Sequence, residues 1–177
     1  MYIYFLRHAN AGVPKANAAK DEKRPLDERG IKQGHDVGRA LAAMNVTLDV
    51  IISSPLLRAL QTAEIVAREM RHRSKVVTDA AMRPGASYEE FQQLLDRHSR
   101  TEAIMVVGHN PNLSQFLNKL LPGGNGATPI ELKKGSIAKV EKEGRNPAIL
   151  KWYMTPKVVS AIQHGSATSA RPKTVRK

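Results

Sequence analysis

The chain contains no cysteine. A disulfide framework and a thiolate metal site are therefore both excluded. Aromatic side chains make up only 5% of the residues, and none are interleaved with basic residues in a stripe. The stacking platforms that hold single-stranded nucleic acid have little to be built from, which argues against a nucleic-acid partner. The N-terminal apolar run, Tyr2-Ile3-Tyr4-Phe5-Leu6, is far too short for a signal h-region or a membrane span. The expectation is a soluble, cytoplasmic protein with no membrane partner. There is no P-loop, so ATP hydrolysis of that type is not indicated. No Asp, Glu and His residues recur at metal-ligand spacing, and neither a metal nor another cofactor is expected.

Acidic residues are also scarce, 16 against 28 Lys and Arg, for a formal net charge of +12. Five of those cations, Lys157, Arg171, Lys173, Arg176 and Lys177, lie in an end segment with no Asp or Glu, leaving +7 on the first 154 residues. That segment is rich in Ser, Ala and Thr and has no apolar period after Val158-Val159. It is expected to be a disordered basic tail over 157–177, behind one domain over 1–156. Apolar residues at 41% and charged residues at 25% suit a folded domain of this length.

Within the domain, short apolar runs alternate with helical patterns. Residues 2–6, 50–52 and 103–107 are nearly all apolar and partly β-branched, as in strands covered on both faces. Asp27 is a good N-cap, with Ile31, Gly34, Gly38 and Leu41 on one helical face. Ser54-Pro55 predicts a second helix start with Pro in the first turn, and Leu56, Leu60, Ala63, Ala67 and Met70 as its buried stripe. Ser87-Tyr88-Glu89-Glu90 fits a capping box ahead of Phe91, Leu94 and Leu95. Asn110-Pro111 opens another helix, with Leu113, Phe116, Leu117 and Leu120 inward. Residues 136–140 and 148–154 predict a hairpin turned around Gly144. The stretches 9–26 and 122–134 are expected to be irregular. This alternation predicts an α/β fold, a three-layer sandwich with a largely parallel central sheet and helices on both faces.

Three strand ends carry the same kind of side chain. The first ends in Arg7-His8. The second runs through Ser53-Ser54-Pro55 into a helix holding Arg58 in its first turn. The third ends in Gly108-His109-Asn110-Pro111. In an open parallel sheet the carboxyl ends of the strands converge on one crevice, so two arginines and two histidines are expected to meet. Two guanidiniums can grip the oxygens of a phosphoryl group, and a histidine can accept that group covalently. Each residue alone has a plainer reading, as a salt-bridge member, a solvated helix residue or a hydrogen-bonded histidine. Their joint placement at separate strand ends favours a phosphoryl site.

These residues resemble the histidine phosphatase superfamily, which includes the cofactor-dependent phosphoglycerate mutases. The resemblance rests on Leu6-Arg7-His8, on Ser53 to Ala63, and on Val107-Gly108-His109-Asn110. The short length, without a large insertion, resembles the SixA-like branch of protein phosphohistidine phosphatases. Arg24 to Gly30, Lys134 to Ala138 and Trp152 to Pro156 point the same way. The resemblance implies a phosphoglycerate-mutase-like fold. It implies His8 as the nucleophile, with Arg7, Arg58 and His109 as catalytic partners around the phosphoryl oxygens. It further implies Arg24 and Asn110 as substrate-binding residues. Ala9 stands where relatives have glycine. Glu89 and Glu90 are the candidates for a general acid, although Glu90 also suits the capping box. The expected substrate is a phosphohistidine-bearing protein, in a signal-transduction role. The alternatives are a small phosphomonoester or sugar phosphate, and a non-catalytic phosphate or nucleic-acid binding module.

Overall fold

A computed structural model describes residues 1–123 and 129–168. The strands are β1 (Tyr2–Arg7), β2 (Val50–Ser53), β3 (Val77–Thr78), β4 (Ala103–Gly108), β5 (Ile137–Glu141) and β6 (Ile149–Met154). The helices are α1 (Ala18–Glu22), α2 (Glu28–Ala43), α3 (Leu57–Glu69), α4 (Tyr88–Arg97), α5 (Asn112–Leu120) and α6 (Pro156–Thr168), with a 3-10 turn at Ala80–Met82. The six strands form one sheet in the order β3-β2-β4-β1-β5-β6. The pairings β3-β2, β2-β4 and β4-β1 are parallel; β1-β5 and β5-β6 are antiparallel.

Side chains alternate across this sheet, as the two-residue period of a strand requires. Ile3 and Phe5 of β1, with Ile104 and Val106 of β4, pack on Phe91, Leu94, Leu113 and Leu117 of α4 and α5. Tyr4 and Leu6, with Met105 and Val107, pack on Val37 and Leu41 of α2 and on Ala59, Ala63 and Val66 of α3. Helices therefore cover both faces, as the sequence predicts. Burying a side chain of the Val, Leu or Phe class stabilises by roughly 1.5–3 kcal/mol, so each layer has ample apolar support.

Local signals account for most element ends. The Asp27 carboxylate accepts from Gly30 N at 2.8 Å and starts α2. Ser87 and Glu90 make both bonds of the capping box that starts α4. Gly30 has a packing reason: a Cβ there would come within 1.9 Å of the Asn10 carbonyl oxygen. The loop that leaves β1 is thus pressed directly onto the first turn of α2.

Several expectations are corrected. Ile31 is 43% exposed, and the inner face of α2 is built from Gly30, Gly34, Val37, Gly38 and Leu41. Helix α3 begins at Leu57, with Leu56 as its cap residue; Ser54 remains in the turn, its hydroxyl accepting from Leu56 N at 3.3 Å. The buried side of α3 runs through Arg58, Ala59, Thr62, Ala63, Val66 and Ala67, one step away from the Leu60 line. The stretch 9–26 contains α1, capped by Asn17, whose side chain accepts from Lys20 N. Residues 157–168 belong to the expected tail. They lie in α6, which is seated on the α2–α3 layer by Val159, 1% exposed. The rest of the expected tail, 169–177, lies outside the described residues, as do 124–128 of the expected 122–134 loop. No helix among the described residues is long and apolar enough to cross a membrane.

Candidate active site

Strand register brings the site together. Arg7 pairs with Gly108 across β1 and β4, so His8 and His109 leave the sheet as neighbours. Ser53 pairs with Val107 across β2 and β4, and Ser54 N donates to the Val107 carbonyl at 2.9 Å. The carboxyl ends of three adjacent strands thus deliver His8, His109 and Ser54 to one crevice. The imidazoles of His8 and His109 lie 4.9 Å apart between ring centroids, tilted by 52°. Both residues are buried, at 5% and 4% exposure.

His8 Nδ1 lies 2.7 Å from the Ala9 carbonyl oxygen. A carbonyl only accepts, so Nδ1 carries the proton and Nε2 keeps a free lone pair. Burial lowers the pKa of His8 to about 3; Arg58, Arg7 and Lys134 add to the shift, while the bond to Ala9 opposes it. The ring is neutral at physiological pH, as a nucleophile must be.

His109 has the complementary arrangement. Its Nε2 lies 2.9 Å from Ser54 Oγ. That oxygen already accepts from Leu56 N, so its own hydrogen is free to be donated to Nε2. In the tautomer in which Ser54 donates to Nε2, the hydrogen of His109 sits on Nδ1, a buried atom without a hydrogen-bond partner among the described residues. Burial first, then His8, Arg58, Arg7 and Arg24, lower the pKa of His109 to about 2.

The arginines flank the two rings. Arg7 Nη1 donates to the Leu132 carbonyl at 2.7 Å. Arg58, 6% exposed, donates from Nη1 to the Asp21 carbonyl at 2.8 Å and lies 3.3 Å from the Asp21 carboxylate. Burial lowers the pKa of both guanidiniums, and Arg24 adds to the effect on Arg58. Both stay charged at neutral pH. The Nε atoms of Arg7 and Arg58 are buried without a hydrogen-bond partner among the described residues. Buried polar groups of that kind call for a specific explanation, and an oxyanion ligand supplies one.

Arg24 and Asn110 are differently occupied. Arg24 is 8% exposed; its Nε meets Asp21 at 2.8 Å and its Nη1 donates to the Ala11 carbonyl at 2.7 Å. Asn110 donates to the Leu132 carbonyl at 2.9 Å and accepts from Ser114 Oγ at 2.8 Å. Both hold loops around the crevice. Ala9 is fully buried, and its N–H donates to Thr62 Oγ1 at 3.1 Å. The Glu90 carboxylate accepts from Ser87 N at 2.6 Å. Among the described residues, no three His, Asp or Glu side chains gather as metal ligands.

The histidine phosphatase superfamily (branch 1) pattern matches residues 3–84. A relative, an uncharacterized protein of Picosynechococcus sp., is 34% identical over 140 residues, covering 77% of this chain and 82% of its own length. The chain belongs to the histidine phosphatase superfamily. Another relative is the phosphohistidine phosphatase SixA of Escherichia coli, 25% identical over 88% of this chain and 94% of its own. A solved structure of the protein histidine phosphatase SixA complexed with tungstate superposes with a TM-score of 0.79 at 24% identity. It covers 89% of this chain and 98% of that one, and shows the shared fold.

Three features of the site have no counterpart in the roles that the sequence motifs imply. The sequence marks Ser54 only as a helix start, yet its hydroxyl meets His109. Lys134 precedes β5, the antiparallel neighbour of β1, and its charge acts on His8. Asp21 holds both Arg24 and Arg58. The signal for Lys134 was available, as a cation directly ahead of a strand that borders β1.

Proposed function

We propose that the protein hydrolyses phosphohistidine on a protein substrate, by way of a phosphoryl group carried transiently on His8. The observation that carries this reading is the state of His8: buried, neutral, its proton held on Nδ1 by the Ala9 carbonyl, its Nε2 lone pair free beside two guanidiniums. Nε2 attacks phosphorus and forms a new P–N bond. The P–N bond of the substrate breaks, and its electron pair goes to the departing imidazole, which takes a proton from solvent. Water then attacks the phosphorus of phosphorylated His8. Inorganic phosphate leaves, and the Nε2 lone pair is restored.

Arg7, Arg58 and the Nδ1 hydrogen of His109 would stabilise the charge that develops on the phosphoryl oxygens. Ser54 would act as a positioning residue, through the tautomer of His109. Arg24 and Asn110 would contribute by holding the walls of the site. The substrate choice follows from the leaving group. Imidazole has an ordinary pKa of about 6.5 and is readily protonated near neutrality. An alcohol needs a general acid, typically worth about 10²–10⁴-fold. Glu90 is committed to its helix cap, which leaves Glu89, exposed on α4, as the other candidate. The relative named phosphohistidine phosphatase SixA, similar along most of both chains, supports the same substrate class.

Comparing kcat/KM on a phosphohistidine protein with that on a panel of small phosphomonoesters tests the proposal. An advantage of about 10²-fold or more for phosphohistidine is expected. Equal or faster turnover of the esters would overturn it.

A further inference from the structure

Beside the phosphoryl site, Arg7 and Asn10 form one end of a cavity of about 380 Å³, whose other walls include Arg29, Lys133, Lys134 and Lys157. This volume lies in the range of specific ligand sites, and no acidic side chain lines it. Arg29, Gln33, Pro156 and Lys157 are shared with a second cavity of about 400 Å³ between α2 and α6. Together the two adjoining cavities make a groove that includes Arg7, the neighbour of His8. The carboxylate in the second cavity, Asp36, is already bound by Lys32 and Arg39, each at 2.7 Å.

The cations of the first cavity repel one another. Burial lowers the pKa of Lys134 first, and Arg7, Arg24 and Arg58 lower it further, with Asp27 opposing. Arg29, Lys133 and Lys157 have no ion pair among the described residues and are exposed to solvent. Like charges gathered on a concave wall favour an anionic ligand and raise its local concentration.

We infer that this groove binds an acidic segment of the phosphoprotein substrate next to its phosphohistidine, a specificity device that rests on the substrate reading given above. The histidine side chain is short. Bringing its phosphoryl group to His8 draws the adjoining backbone across the mouth of the groove. Two adjoining cavities suit an extended chain better than a compact bisphosphate. The groove walls carry no aromatic side chain, so a nucleic acid would find phosphate contacts there but no stacking surface.

The test uses a short peptide with a central histidine followed by aspartates, its asparagine counterpart, and both in histidine-phosphorylated form. The proteins compared are the full chain and the full chain with Arg29→Ala, Lys133→Ala and Lys157→Ala together. In the unaltered protein the unphosphorylated acidic peptide is expected to bind about tenfold tighter than the neutral one. The ratio should fall towards one in the triple variant and with added salt. The same ratio is expected in kcat/KM for the phosphorylated pair. Equal binding of acidic and neutral peptides overturns the inference, and turnover of both phosphopeptides would then leave the phosphohistidine reading standing. Preferential acidic binding with no turnover of either phosphopeptide supports the groove and rejects that reading instead. Tighter binding of tripolyphosphate or of a single-stranded oligonucleotide than of the acidic peptide also overturns the inference, by naming a different occupant.

Discussion

Arg7 and Asn110 donate to the same acceptor, the carbonyl oxygen of Leu132, at 2.7 and 2.9 Å. One residue ends β1 and the other follows β4, so a single carbonyl ties two strand ends to the segment leading into β5. Leu132 is itself fully buried, and its N–H donates to Ser114 Oγ at 2.9 Å. The same Ser114 hydroxyl donates to Asn110. The arginine beside His8 is therefore positioned by a small closed network.

Asn110→Ala opens that network. It leaves the Ser114 hydroxyl hydrogen without its acceptor and removes one of the two side-chain donors to the Leu132 carbonyl. A loss of about 1–2 kcal/mol in stability is expected, together with about a tenfold fall in kcat/KM as Arg7 loses its fixed direction. Thermal unfolding and steady-state kinetics on the same preparation check both. An unchanged melting temperature would show that Asn110 does not brace the site.

Asp21 sits across Arg58. Its bond to Arg24 first, and the nearby Lys15 N–H next, lower its carboxyl pKa to about 2, so it is ionised throughout the neutral range. That charge competes with any oxyanion for Arg58. Asp21→Asn keeps the backbone carbonyl that holds Arg58 Nη1 and removes the negative charge. Vanadate is expected to inhibit the variant at concentrations lower by up to about fivefold at low salt, with less difference at high salt. Weaker inhibition would show that the Asp21 carboxylate orients Arg58 more than it opposes the ligand.

Much of this architecture is legible in the residues. The apolar runs that became β1, β2 and β4 are bounded by turns and polar ends, and Ser87 to Glu90 states a helix start by itself. The meeting of His8 with His109 follows once β1 and β4 are taken as parallel neighbours, because each histidine stands one step past its strand. Asp21 escapes such reasoning. Its contact with Arg58 reaches across 37 residues, past α2 and β2, and no local period records it. The seating of α6 escapes too, since Val159 alone is buried among its described side chains, while the apolar Val158 and Ile162 are exposed. A Ser-, Ala- and Thr-rich segment without an apolar period places Lys157 in a solvated tail, whereas α6 holds it on the groove wall.

The depressed pKa of His8 has a consequence for stability. The unfolded chain binds a proton at this residue below an ordinary pKa of about 6.5, and the folded protein does so only near 3. Between those values the unfolded state holds more protons, so the contribution of His8 to stability falls as pH falls. His8→Asn removes that dependence. From about pH 7 to about pH 5 the variant is expected to gain about 2 kcal/mol relative to the unaltered protein, read from urea unfolding at each pH. Parallel pH profiles would mean that His8 titrates normally when folded.

Rapid quenching of the reaction with a phosphohistidine substrate labelled in its phosphoryl group tests the phosphoenzyme on His8 most directly. The account predicts label on the protein that is stable in base and labile in acid, mapped to His8, and absent from His8→Ala together with turnover. A His8→Ala protein that still takes up label and releases phosphate would contradict it.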